Sequence, residues 1–380
     1  MTPADLLEAP DEAAALEALH DAGCTDGLPV VIPTPDRVER MVLASGYDGD
    51  LVVGAMGPNL GAASIEKVAA NAVMAGCLPD HLPVLLAAVE AVCDPAFDLT
   101  EVQSTTHDVS PIILVNGPAR DCGPVASGFG ALGPGHRANA SIGRALRLCM
   151  INIGGGRPGI SDMALLGHPG KFAACLAEAE EESPWPGLHT SFGYAEDQGA
   201  VTVVGVGAPH SVVSPPDDEP YPDRLLACLG RAVAAPGNNN AAFGGRGTVV
   251  VVLNPEHAAA LGAAGLSREA AQAAIYERAV NRRADLHALG LGLNRAGADA
   301  DLLHGAAGPA SILLLVAGGG GIYSVVLPSW AAGPHGCVPV TRPVSLDQAC
   351  VVPWMAAEAS AAAQAAGVGA GTASPAGATA

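Results

Sequence analysis

Six short segments of the chain set reactive side chains beside turn-forming residues. GFGALGPGHRANASIGRALR (128–147) runs a glycine-rich stretch into a helix expected from Ser141 to about Asn152. A helix N-terminus presents free N–H groups and a partial positive charge, so it can hold an anion. His136, Arg137 and Arg144 would add donors and charge there. The segment lacks the G-K-[ST] ending of a P-loop, and a plain turn with solvated arginines fits equally. GHPGKF (167–172) places His168 and Lys171 around a Pro-Gly turn, where the backbone can approach a ligand faced by two titratable groups. Lys171 is one of only two lysines, the other being Lys67.

In EEESPW (180–185), Glu182 is nearest the Pro-Trp turn. Desolvation by Trp185 would raise its pKa and suit it to general acid or base work; Glu180 and Glu181 read as a solvated terminus. QSTTHDVSP (103–111) sets His107 beside Asp108 ahead of an apolar run, as an oriented base or a strand-edge cap. LLLVAGGGGIYS (313–324) ends a buried strand in four glycines. Gly319 and Gly320 would allow close backbone approach to a reacting centre, with Tyr323 and Ser324 just after. Downstream, His335 precedes Cys337 by two residues, and Arg342 supplies a further cation. Cys337 would act as a nucleophile only if a partner lowered its pKa. GNNNAAFGGRG (237–247) offers Asn239 as a polar substrate contact, or an ordinary Asn-rich turn.

Composition narrows the partners. Lys+Arg is 18 against Asp+Glu 38, giving a net charge of -20. With no basic stripe to neutralise phosphates, nucleic acid and anionic membrane surfaces are excluded as partners. No apolar run of membrane-spanning length occurs. The acidic N-terminus lacks the basic and apolar regions of a secretory signal, so the expected compartment is the cytoplasm. Nine cysteines, an odd number without a C-x-x-C pair, argue against a disulfide framework or a zinc ribbon. The eleven histidines show no H-x-x-x-H or H-E-x-x-H spacing, so no metal site is expected. No dinucleotide fingerprint is evident, since the strand endings GAMGPN and GGGGIYS lack G-x-G-x-x-G followed by a helix and a ribose-binding acid, and no cofactor is identifiable.

The elements that must position these groups alternate as in α/β proteins. Apolar runs at Leu28–Ile32, Ile112–Val115, Ala200–Val206, Thr248–Leu253 and Ile312–Val316 read as strands. Their lack of a polar face suits burial on both sides, as in parallel sheets. Helical spacing marks residues 1–20, Asp36 to about Leu43, 62–77, a helix opening at Asp80, Lys171–Glu182, Asp223–Val233, a helix capped by Asn254-Pro255, and Ser267–Asn281. The endings VVGAMGPN, ILVNGPAR, VVGVGAPH, VVVLNPEH and LLVAGGGG share a passage from apolar run to Gly, Pro or Asn, without a true sequence repeat. The expected architecture is two α/β domains or layers with mostly parallel or mixed sheets and Gly-rich strand-end loops. Residues 1–195 form the first domain and 196–355 the second, followed by a disordered Ala/Gly-rich tail over 356–380.

TDGLPVVIPTPDRV (25–38), EKVAANAVMAGC (66–77), GHPGKF, EEESPW and VTRPV (340–344) together resemble a family of uncharacterised bacterial proteins associated with short thiol or selenol proteins bearing a Sec/Cys-Gly-Ser-Cys (UGSC-type) motif. This chain has no Cys-Gly-Ser-Cys of its own. The resemblance implies a thiol or selenol partner protein that supplies a nucleophile, with this chain as the binding or acid–base component.

Taken together, the residues suggest an enzyme acting on a small anionic metabolite by acid–base chemistry, as a cofactor-independent lyase or hydrolase. Arg137, Arg144 and Lys171 would bind anionic groups, and His107, His136 or His168 would move the proton. Two alternatives remain open. One is a redox or thiol-transfer subunit using Cys337 or Cys77; the other is a non-catalytic small-molecule scaffold. A homo-oligomer is compatible with each.

Overall fold

The computed structural model describes residues 7–216, 221–243, 245–291, 301–330 and 333–345. In chain order, α1 (Glu12–Asp21) and α2 (Pro35–Ser45) precede a hairpin of β1 (Val52–Met56) and β2 (Gly61–Ser64). Then come α3 (Ile65–Ala75), α4 (Leu82–Cys93), α5 (Leu99–Ser104), β3 (Ser110–Asn116), α6 (Ala119–Cys122) and α7 (Arg137–Asn152). Next are β4 (Cys175–Ala177), β5 (Ala200–Val206), β6 (His210–Val213), α8 (Tyr221–Val233), α9 (Asn239–Ala242) and β7 (Val249–Leu253). The last are α10 (Pro255–Ala263), α11 (Arg268–Arg278), β8 (Val280–Arg282), α12 (Arg283–Ala288), β9 (Leu302–His304), β10 (Ile312–Val316), β11 (Tyr323–Leu327) and β12 (Val340–Pro343).

The apolar strands form two four-stranded mixed sheets, β12-β5-β3-β4 and β6-β11-β7-β10. Each carries the same pairings: two antiparallel, then one parallel. The halves also exchange their edge strands. β6 follows β5 in sequence but completes the second sheet, and β12 follows β11 but completes the first. The two crossings touch, with Val206 bridging Ser329 and the Gly207 N–H donating to the Pro328 carbonyl at 2.7 Å. The fold is therefore a structural repeat. ILVNGPAR and VVVLNPEH, at the ends of β3 and β7, hold equivalent places in it. Different insertions before each parallel partner strand hide the repeat from the sequence.

Alternation along the strands divides the core. Ile112, Leu114, Val204, Val206, Val250, Val252, Leu313 and Leu315 pack between the two sheets. Their neighbours Ile113, Val115, Val201 and Val203 face α3, α4 and α7. Val249, Val251, Leu314 and Val316 face α8, α10 and α11. The layers thus run helix, sheet, sheet, helix, and the α/β class holds.

The expected division at residue 195 does not follow the sheets, because β5 and β12 both complete the N-terminal sheet. Leu28–Ile32 is not a strand; it runs over the helical layer, with Val31 N–H donating to Met74 O at 3.1 Å. Lys171–Glu182 is not a helix. Its apolar centre becomes β4, parallel to β3, and short 3-10 turns lie on either side. A short apolar run reads either way by periodicity, and here the open place beside β3 decides. The first helix starts at Glu12, capped by the Asp11 carboxylate. Residues 1–6 and the 356–380 tail lie outside the described residues.

Two places in the helical layer give stability predictions. His81 is buried at the start of α4, its Nδ1 accepting from the Leu78 N–H at 3.2 Å. Burial, aided by the Arg137 charge, lowers its pKa from 6.5 to about 4. The unfolded chain then binds more protons between those values, so stability rises with pH there. Acidification from pH 6.5 to 4 is expected to remove about 3 kcal/mol. Urea denaturation should show this loss in the wild type and a smaller one in His81→Gln; equal losses would contradict it.

Gly143 sits inside α7, where an added Cβ would lie 2.6 Å from the Ala174 backbone nitrogen. Helix propensity alone favours Gly143→Ala by about 1 kcal/mol. The clash with backbone reverses the sign, and a net loss of about 1–3 kcal/mol is expected by urea denaturation.

Candidate functional site

On α7, residues three and four apart share a face, which aligns Arg144, Arg147 and Ile151. The segment 22–29 crosses this face. Arg144 grips Asp26 with two 2.8 Å hydrogen bonds and donates to Pro29 O at 2.9 Å, and Asn152 Nδ2 donates to Cys24 O at 3.0 Å. After α7 the chain turns tightly through Gly154-Gly155-Gly156. A Cβ on Gly155 would fall 2.0 Å from Asn59 Nδ2, and one on Gly156 2.0 Å from Gln103 Oε1. Arg157 O then accepts from the N–H groups of Ile160, Ser161 and Asp162, and Leu165 N–H reaches Thr106 O at 3.1 Å. Between segment 22–29, α7 and this returning loop lies a cavity of about 770 Å³.

Charge gathers on its walls. Buried Arg147 donates through Nε to Lys171 O at 2.6 Å and through Nη1 to Asp162 at 3.5 Å. Lys171 Nζ donates to the other Asp162 oxygen at 3.0 Å. Burial lowers the pKa of both cations; Arg147 lowers that of Lys171 further while Asp162 opposes. His168 Nδ1 accepts from Gly170 N–H at 3.1 Å. That contact puts the neutral ring's proton on Nε2, which is buried and finds no partner among the described residues. Burial also lowers the His168 pKa, with Asp108 opposing. Behind them His107 Nε2 stands 3.3 Å from Asp108 Oδ1, leaving its buried Nδ1 unpartnered among the described residues. Burial lowers its pKa as well, against Asp108. Arg147, Arg157 and Lys171 thus share the walls with two carboxylates, Asp26, which Arg144 pairs from outside the cavity, and Asp162. A cationic pocket in a chain of net charge -20 is a concentrated anion attractor.

The structure therefore brings His107, His168 and Lys171 together, with Arg144 alongside. Sequence reasoning missed Arg147, Asp162, Asp26 and Arg157. Two signals pointed to them: Arg147 lies one turn beyond Arg144, and GGGRPG (154–159) is a second glycine run leaving an apolar element.

The remaining candidates lie elsewhere. His136 Nε2 contacts Phe129 O at 2.9 Å at the far end of α7, and Arg137 donates twice to Gly76 O. Arg137 lines a separate cavity of about 210 Å³. Gly319 and Gly320 make room for protein: a Cβ on the first would meet the Phe129 ring at 2.1 Å and one on the second Glu256 Oε1 at 2.6 Å. Tyr323 is exposed. Ser324, 2 % exposed, contacts His257 Nδ1 at 2.7 Å and accepts from Asn254 N–H, a closed pair inside the second half. Asn239 donates to Ser329 O at 3.3 Å. Arg342 pairs with Asp94. Cys337 is fully buried, and burial pushes its thiol and that of Cys77 up to about 12. Neither is a ready thiolate at neutral pH.

Glu182 is exposed, and the desolvated carboxylate is Glu178. It accepts from Leu188 N–H at 2.6 Å, Asn116 Nδ2 at 2.6 Å and Arg268 Nη2 at 3.1 Å. Burial raises its pKa, opposed first by Arg268. Arg268, on α11, lies 5.9 Å from the Trp185 ring centroid. This is a buried ion pair joining the two halves.

Among the described residues, no three His, Cys, Asp or Glu side chains converge as metal ligands, and no helix is long and apolar enough to cross a membrane. Compared with family models, curated proteins and solved structures, the chain finds no match.

Proposed function

We propose that the chain is an enzyme that binds a small anionic metabolite in the α7 cleft and acts on it by acid–base chemistry, as a lyase or hydrolase. One observation carries this: His168, Lys171 and buried Arg147 line one cavity, and His107, from a separate motif, stands behind that wall close enough for its charge to act on His168. Perturbed titratable groups converging on a large cavity are what an acid–base site requires. Arg147 and Lys171 hold the anionic group. The neutral His168 ring offers its Nε2–H to a developing negative charge. His107, backed by Asp108, supplies an unprotonated imidazole at neutral pH.

Mass spectrometry of a small-metabolite extract incubated with the chain tests this. Wild type should deplete one anionic species with the appearance of a product, and a folded His168→Gln variant should do so at least about a hundredfold more slowly. Equal depletion by both would sink the acid–base assignment; binding without depletion would leave a non-catalytic scaffold.

A further inference from the structure

The cavity is larger and more apolar than a small anion needs. About 770 Å³ falls in the range that encloses drug-sized ligands, and an acetate-sized ion would occupy one corner. Arg147, Lys171, Asp162 and His168 form one linked charged cluster, with Asp26 and Arg157 also on the lining, while Ile151, Phe172 and Leu166 supply apolar surface. The loop that carries Leu166 is itself apolar and open to solvent: Leu166 is 97 % exposed, Leu165 82 % and Ile160 77 %. Single exposed aliphatics are ordinary. Three on one short loop, with Leu166 lining the charged cavity, point to a binding surface at its rim.

We propose that the ligand of this cleft is an amphipathic anion. A carboxylate or similar head sits against Arg147, Lys171 and the His168 Nε2–H, and an aliphatic tail lies along Ile151, Phe172 and Leu166 toward the rim. This rests on the cleft being the anion site, and it adds the class of ligand.

Isothermal titration of the full chain with straight-chain monocarboxylates, acetate through decanoate, separates the two claims. Affinity should rise about fourfold per methylene until the tail fills the cavity. Leu166→Asn, a neutral change at the rim, should flatten the series for the longer tails, while acetate, too short to reach the rim, binds as it does to the wild type. Lys171→Gln, checked for folding by circular dichroism, should weaken every member. A series flat in the wild type, with acetate still bound, overturns the amphipathic ligand and spares the anion site. No binding by any member overturns both. A dimer in sedimentation that Leu166→Asn dissociates, together with a flat series, would assign the rim to a second copy of the chain and overturn the proposal.

Discussion

Arg268→Met is expected to lower stability by about 3–5 kcal/mol, the largest effect of any single change considered, because it strips a buried carboxylate of its counter-charge. Glu178 is enclosed beneath α11, and Arg268 is the first influence holding its raised pKa down. Without that cation, Glu178 keeps the Asn116 amide and the Leu188 N–H, too little to solvate a full charge. The carboxyl will take up a proton instead. A carboxyl whose folded pKa lies above its unfolded value favours the fold when protonated, so the variant should lose stability as pH rises beyond about 4.5. Glu178→Gln/Arg268→Met should recover most of the loss, since no charge is then buried. Urea denaturation of the two singles and the double closes the cycle; a single Arg268→Met change under about 1 kcal/mol would show the pair to be solvated.

Lys171→Met is expected to weaken anion binding by roughly ten- to a hundredfold, the worth of one charge-assisted hydrogen bond at a partly buried site. Asp162 then keeps Arg147 at 3.5 Å and the Ala164 N–H at 3.3 Å, so the pocket loses a positive charge and part of the screen against its own carboxylate. Raising the pH should mimic the substitution. The Lys171 pKa is already lowered by burial and by Arg147, so affinity should fall at a pH where an ordinary lysine is still charged. Isothermal titration with butyrate across pH 7 to 10, in wild type and variant, checks both; curves that coincide would place the anion elsewhere.

The central strands were legible because their apolar runs carry no polar face, and two-sided burial leaves few alternatives. β4 was not: three residues between two turns carry too little pattern, and only the gap beside β3 settles them. The strand exchange was equally hidden, because the register of β6 and β12 depends on contacts more than a hundred residues away. At the site, GHPGKF and the His107–Asp108 pair were readable since turn chemistry and titratable groups coincide there. Arg147 was harder to read: its place one turn beyond Arg144 is a signal, but an arginine among apolar helix residues gains its role only when a loop returns over it. The Gly318–Gly321 run shows the converse error. Its glycines fit the close approach of Phe129 and Glu256 rather than a ligand. Likewise Trp185 sits with Arg268 and leaves Glu182 in solvent.

The most direct test is histidine-ring NMR of the full chain titrated with butyrate. Binding in the α7 cleft predicts that the His168 ring shifts with saturation, that His107 follows, and that His136 and His257 stay fixed. Shifts at His136 or His257 with His168 unmoved would contradict the assignment of this cleft.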